Sequence, residues 1–380
     1  MASNLLVIGN GFDLACKLNT KYAHYFDNVL KQSSEMKALV DFLDGIKIDD
    51  LEDKSIDKQL LKMLPQDSDV VTFWDVYFTF QDWMFNRLHT DQTWMDIEDM
   101  LLRCFEDKNS YDISCRLALS ALESIADNSL EALFPPGSNY RYLGSYVYRV
   151  FKKRSYKITE DVFKDYLEKE LDRFSCNFSK YIKQQLLEHK DYTERAVDLV
   201  SKIIGKNRMN DYMIDSFNYT PIDYAIYHHN IHGVASNGDV VFGITCGNGA
   251  DREKIHKEWK YKFTKEYKIA RIMAKNGSSF NSYLDVKKVF IFGSSLGEQD
   301  FDYFEAIFDE CKIVDREPKA NIIFVYSIYD KTRSKEIVDD ITTKVTRLIN
   351  MYGDRNNRYG LFRQLMQKRV IFIKQIDTDN

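Results

Sequence analysis

Four short segments carry residues that could do chemistry, and each follows directly on an apolar run. They are Gly9–Asn10–Gly11–Phe12–Asp13, Asn218–Tyr219–Thr220, His232–Gly233 and Gly293–Ser294–Ser295–Leu296–Gly297 with Asp300 shortly after. Glycines at a strand-to-helix turn let backbone N–H groups approach a phosphate at a helix N-terminus. Asp13 falls in the first helical turn, where the helix dipole favours a carboxylate that would in turn repel a pyrophosphate. It therefore reads as a ligand for ribose hydroxyls or as a helix cap. The Asn218 amide offers both a donor and an acceptor, suited to a water or a ribose hydroxyl. Thr220 precedes Pro221 and reads as an N-cap. His232 could act as a general base near neutral pH, with Gly233 leaving space for a ligand. A hydrogen-bonded core histidine is the competing reading. His228 and His229 are weaker candidates, and only one of them shares a strand face with His232.

Gly293–Gly297 also matches the nucleophile-elbow pattern G-x-S-x-G. That motif needs a later Asp and His, and no histidine follows His256, so a serine hydrolase is a poor reading. Trp94 and Glu98 would share one face of a helix and Asp96 another. Asp13, Asp96, Glu98 and Asp300 could together hold Mg²⁺ through carboxylates, the chemistry of a metal-dependent nuclease or nucleotide hydrolase. No zinc spacing is present: the six cysteines (Cys16, Cys104, Cys115, Cys176, Cys246, Cys311) are scattered and form no CxxC pair.

The elements that must position these residues follow from periodicity. Asn4–Ile8 is an uninterrupted apolar run, the signature of a strand buried on both faces in a parallel sheet. Met213–Phe217, Ile226–Ile231, Val240–Ile244, Val289–Phe292, Ile322–Tyr326 and Val370–Ile373 read as further strands. Glu253–Lys275, Phe301–Cys311 and Ser334–Tyr352 read as helices among them. Between Tyr22 and Lys206 the pattern is helical, with amphipathic stretches at Leu117–Ile125, Phe163–Phe174 and Phe178–Leu186 and a loop at Pro135–Pro136–Gly137. Acidic Asp49–Asp57 reads as an exposed connection. The expected architecture is α/β: a Rossmann-like, mostly parallel sheet flanked by helices, with a large α-helical insertion. Residues 1–30 plus 207–380 would form a discontinuous nucleotide-binding domain and 31–206 the helical domain. Ligands of such sheets bind beyond the carboxyl ends of the strands, where all four segments fall.

With 29% charged residues and a formal net charge of −5, nucleic-acid binding over a broad basic face is disfavoured. Basic stretches such as Lys152–Lys153–Arg154 are short. No apolar run reaches the roughly 18–20 residues a membrane span needs, and no basic leader precedes Leu5–Ile8. A cytoplasmic protein with reduced thiols and no membrane partner is expected.

Leu6–Asp13 with Thr20–Lys21–Tyr22, Trp94-x-Asp96-x-Glu98, Phe217–Thr220, Ile231–Gly233, Val241–Ile244 and Gly293-x-Ser-Leu-Gly-x-x-Asp300 resemble, in this order, the AbiH family of bacterial phage abortive-infection proteins. Such proteins are in turn similar to the sirtuin-like NAD-binding fold. The resemblance implies a phosphate turn at Gly9 and Gly11, a water- or ribose-positioning amide at Asn218, a base at His232 and a cofactor wall at Gly293 and Ser295. Asn10 stands where that fold has Ala, Asn-Tyr-Thr replaces Asn-x-Asp, and the zinc cysteines of deacetylases are missing. It implies an antiphage effector that binds NAD or a related nucleotide and hydrolyses its N-glycosidic bond. Asp96, Glu98 or Asp300 would stabilise the oxocarbenium charge. Ser294 belongs to the same nucleotide wall. A Mg²⁺-dependent hydrolase and a non-catalytic nucleotide-binding phage sensor are the alternatives. The reading leaves room for a phage-derived trigger or partner protein and for a homo-oligomer.

Overall fold

A computed structural model describes residues 2–47, 54–66, 70–88, 97–98, 100–101, 139–154, 159–245, 259–276, 283, 285–297 and 300–378. The chain divides into two compact units, Met1–Thr20, Ile182–Val241 and Ile269–Asn380 forming one, Lys21–Tyr181 and Phe242–Lys268 the other.

The first unit holds the sheet. Strand β1 (Asn4–Ile8) is buried at every position. Successive side chains point to opposite faces, so an uninterrupted apolar run needs a core on each side. Leu5 and Val7 pack with Val289, Ile291, Phe304 and Leu348. Leu6 and Ile8 pack on the other face with Phe290, Phe292, Ala196, Val200 and Ile203. β1 pairs in parallel with β2 (Tyr212–Ser216) on one side. On the other side it pairs with β4 (Lys288–Phe292). β3 (Tyr227–Asn230), β5 (Asn321–Ser327) and β6 (Ile371–Ile376) complete six parallel strands among the described residues, in the order β3-β2-β1-β4-β5-β6. That is the order of doubly wound nucleotide-binding sheets, and the chain reverses its winding direction between β1 and β4. The expected α/β, Rossmann-like architecture is therefore present, and the sheet, expected to be mostly parallel, is parallel throughout its six described strands.

Val240–Ile244 is not a strand. Val241 N donates to His232 O at 2.9 Å, and Ile244 makes only an isolated bridge with Thr264. These side chains are apolar because they are buried, and a short apolar run cannot by itself tell a strand from a buried irregular segment. The acidic connection expected over Asp49–Asp57 is helical from Lys54, where a helix runs to Met63. Residues 49–53 lie outside the described residues. So do Leu117–Ile125, Pro135–Gly137 and positions 253–258.

The second unit is built from helices around an aromatic core, among them Ser34–Gly45, Phe73–Leu88, Asn139–Arg154 and Glu160–Glu188. Trp74 is fully buried and donates Nε1–H to Leu167 O at 3.0 Å. Phe78 meets Phe174 edge-on at 5.5 Å, one of several T-shaped pairs there. Phe73–Leu88 starts with a reciprocal cap. Asp75 N donates to Thr72 Oγ1 at 3.1 Å, and Thr72 N returns a bond to Asp75 Oδ2 at 2.8 Å. Thr72→Ala removes one half of it and is expected to cost about 1–2 kcal/mol, read as a lower urea midpoint. An unchanged midpoint would show that the cap is dispensable. No helix among the described residues is long and apolar enough to cross a membrane.

Candidate functional site

The tips of β1 and β4 meet backbone to backbone. Gly9 N donates to Phe292 O at 3.0 Å, Gly11 N to Gly293 O at 2.8 Å and Phe12 N to Gly9 O at 2.8 Å. A Cβ on Gly9 would stand 2.5 Å from Ser294 Cα, and one on Gly11 would stand 2.8 Å from Gly293 Cα. Gly293 has φ +74° and has the Phe12 amide where its own Cβ would go. Three amides expected to face a phosphate thus donate within the chain, and the glycines are required by loop-on-loop contact. Phe12 is buried edge-on against Phe292 at 6.3 Å, as a core residue. The Asn10 side chain accepts from the Thr20 hydroxyl.

Beside this seam lies a buried polar cluster at the tips of β1 and β2. Asp13 is 0% exposed. Its Oδ1 accepts from Tyr192 Oη at 2.7 Å and from Thr220 Oγ1 at 3.2 Å. No helix starts at Pro221, so Thr220 is a hydrogen-bond partner of Asp13 and not the N-cap expected from the sequence. Burial drives the Asp13 pKa from 3.8 up to about 7, against the lowering effects of Tyr192, Thr220 and the Asn218 amide. Burial and the Asp13 charge push Tyr192 and Tyr224 well above the usual tyrosine value, so both keep their protons. Asp13 Oδ2 has no hydrogen-bond partner among the described residues.

Asn218 is 3% exposed at the end of β2. Its amide lies close enough to Asp13 to lower that pKa. Yet Nδ2 and Oδ1 complete no hydrogen bond of good geometry among the described residues. The loop carrying it is fixed from β3: Asn230 Nδ2 donates to Asn218 O and to Thr220 O, both at 2.9 Å. Buried amides and carboxyls without partners are costly, and water or a ligand could supply the missing bonds at Asp13 and Asn218.

His232, at the tip of β3, is 4% exposed. Its Nε2 stands 3.8 Å from Asp300 Oδ1, and its ring contacts Phe217 at 5.4 Å and Tyr303 at 5.7 Å. Gly233 leaves no space for a ligand, because its φ is +79° and a Cβ would strike Asp239 O. His228 Nδ1 lies 2.9 Å from Ala225 O, and His229 faces Asp215 on the edge strand.

Ser294 and Ser295 shape their own turn. Their hydroxyls accept from Leu296 N and Gly297 N, each at 3.2 Å. Ser294 also lines a cavity of about 480 Å³ at the tips of β4 and β5, with Gly11, Gly293, Ser327, Tyr329 and Arg333. Its volume falls within the range of small-molecule sites. Asp13, Asn218 and His232 do not line it; cavity and polar cluster flank the Gly11–Gly293 seam from opposite sides. The carboxylates proposed to share Mg²⁺ have other partners where they are described. Glu98 Oε2 pairs with Lys265 Nζ at 2.8 Å in the second unit, and Asp300 pairs with His232. Asp96, like Trp94, lies outside the described residues. Among the described residues no three His, Cys, Asp or Glu side chains gather as a metal site.

Sequence reasoning missed Tyr192, Tyr224 and Asn230. None sits after a strand in a motif, and Tyr192 reaches Asp13 across 179 positions. No curated protein and no solved structure matches the chain. A family model does, over residues 5–326, which takes in β1, the polar cluster, the Gly293 turn and β5. The chain belongs to the AbiH family, whose members act in bacteriophage abortive infection.

Proposed function

We propose that this protein is an abortive-infection effector that binds an NAD-type dinucleotide at the strand tips and hydrolyses its N-glycosidic bond. The observation that carries the reading is the buried Asn218 amide, unsatisfied beside Asp13 and one strand from His232. The nicotinamide riboside end would sit at this cluster, and the β4–β5 cavity is large enough for the other nucleotide. The bond between ribose C1′ and the pyridinium nitrogen breaks, with its electron pair leaving on neutral nicotinamide. Once nicotinamide has left and freed the Asn218 amide, water held by that amide adds its oxygen to C1′. His232 accepts the released proton, and Asp300 steadies the imidazolium formed. The products are nicotinamide, ADP-ribose and one proton.

Purified protein incubated with NAD, with and without phage-infected lysate, is the test. Free nicotinamide should accumulate, and Asn218→Ala or His232→Ala should slow its release by about a hundredfold or more. Wild type that releases none in either condition sinks the reading. NAD retained tightly without product would assign the pocket to sensing.

A further inference from the structure

The hydrogen-bond inventory of Asp13 says more than burial alone. A carboxylate has two oxygens and about four lone-pair sites, all acceptors; its acid form turns one oxygen into a donor. Both protein donors, Tyr192 Oη and Thr220 Oγ1, converge on Oδ1. Oδ2 receives none, and no salt bridge reaches the carboxyl, among the described residues. The groups packed around it are Tyr192 and Tyr224 hydroxyls, the Cys16 thiol and the Asn218 amide. None of these brings a positive charge. Arg195 acts on Cys16 and is ion-paired with Asp191 at 2.9 Å. An ionised Asp13 would be a buried charge with one oxygen bare, an arrangement proteins avoid by keeping the proton.

We propose that Asp13 works as a carboxylic acid: Tyr192 and Thr220 hold Oδ1, and Oδ2–H is presented, beside the Asn218 amide, to an uncharged acceptor on the ligand. This rests on the nucleotide reading above and narrows it. Oδ2–H and Nδ2–H₂ are donors and Asn218 Oδ1 is an acceptor, and no formal charge is among them. Such a set complements an amide group or a base edge. A phosphate would want cations or free amides, and a ribose diol is better met by an ionised carboxylate. In an NAD-type ligand the group that fits is the carboxamide of nicotinamide. Tyr192 and Thr220 are positioning residues, since they act on the ligand only through Asp13.

Two measurements test this independently. In the first, binding of NAD and of free nicotinamide is followed by calorimetry on the full chain. Asp13→Asn keeps the acceptor on Oδ1 and puts an N–H donor where Oδ2–H was, so affinity should stay within about threefold. Asp13→Ala should weaken binding by about thirtyfold or more. An Asn variant as weak as the Ala variant overturns the proposal, because only an ionised carboxylate would then serve. In the second, infrared spectra of unliganded protein near pH 6 should contain a protonated-carboxyl stretch that Asp13→Asn removes, below the value of about 7 reached by burial. Asp75→Asn controls for the other acid that burial lifts to about 7. If no band is lost on Asp13→Asn, Asp13 is ionised and the proposal fails. If the band is lost but neither ligand binds wild type, Asp13 is a neutral acid and it is the NAD reading, with this carboxamide assignment, that falls.

Discussion

Gly293→Ala is expected to lower the stability of the sheet unit by about 3–5 kcal/mol, enough to leave many chains unfolded at growth temperature. Two independent terms add. The backbone there has φ +74°, which costs a residue with a Cβ roughly 1–2 kcal/mol. The new methyl would also overlap the Phe12 amide and lie 2.8 Å from the Gly11 carbonyl carbon. Neither neighbour is a side-chain end that can swing away; both belong to the turn that joins β1 to its helix. Relief would require separating the two loops and breaking the Gly11 N to Gly293 O bond of 2.8 Å. Gly297→Ala is the matched control: its φ is ordinary, and among the described residues its Cβ would meet the Ser295 hydroxyl at 3.2 Å and nothing nearer. Urea denaturation of the two variants measures the difference. Equal midpoints would mean that the seam is loose and that its glycines are there for another reason.

Raising the pH from about 5 to about 8 should destabilise the protein, opposite to the usual effect of ionising carboxylates. Burial lifts Asp13 and Asp75 from 3.8 to about 7. Between those two values the folded chain holds protons that the unfolded chain has already released. Stability therefore falls as pH rises through this window and levels off above about 7. Each group contributes on the order of 2–4 kcal/mol, and neither contribution is screened by water, because both carboxyls are fully buried. Histidines act against the trend below about pH 6.5. Burial lowers His24 and His229, whose contributions grow as pH rises toward the ordinary histidine value. The difference between wild type and a neutral variant is thus the cleaner readout. Asp13→Asn and Asp75→Asn should each be more stable than wild type at about pH 8 and indistinguishable from it at about pH 4. Asp75→Asn reports on the helical unit, where Asp75 Oδ1 also lacks a hydrogen-bond partner among the described residues. Chemical denaturation across the pH series decides the matter. A gap between variant and wild type that stays constant with pH would show that the carboxyl titrates alike in both states.

Strand β1 was legible because the four-residue apolar run Leu5–Ile8, stopped by Gly9, has few other solutions, and the structure keeps the strand's bounds at Asn4–Ile8. β4 and β5 were legible from similar buried apolar runs, whereas β3 is polar and exposed at its first two positions. Val240–Ile244 was not legible, since burial without pairing leaves the same composition. The Gly9, Gly11 and Gly293 positions were found for a partly different reason than the one that holds. Close approach of a ligand and close approach of a second loop demand the same missing Cβ, and a sequence does not distinguish them. Asp13 was read as a ligand for ribose hydroxyls or a helix cap; it makes no side-chain cap, and its carboxyl is buried against the Tyr192 and Thr220 hydroxyls. Its main partner was out of reach: Tyr192 lies in a helix with ordinary amphipathic spacing, and nothing local marks its hydroxyl as facing inward. His232 and Asp300 were both singled out, but only the fold makes them neighbours.

The central position of β1 sets the timing of assembly. Ser3, at its leading end, bonds to Asp211, 208 positions later, and its second flanking strand begins only at Lys288. At translation rates of roughly 5–20 residues per second, the first strand leaves the ribosome some 10–40 s before its first neighbour exists. The Gly11–Gly293 junction closes later still. A chain that ends before Gly293 therefore lacks one of the strand tips on which the proposed pocket depends.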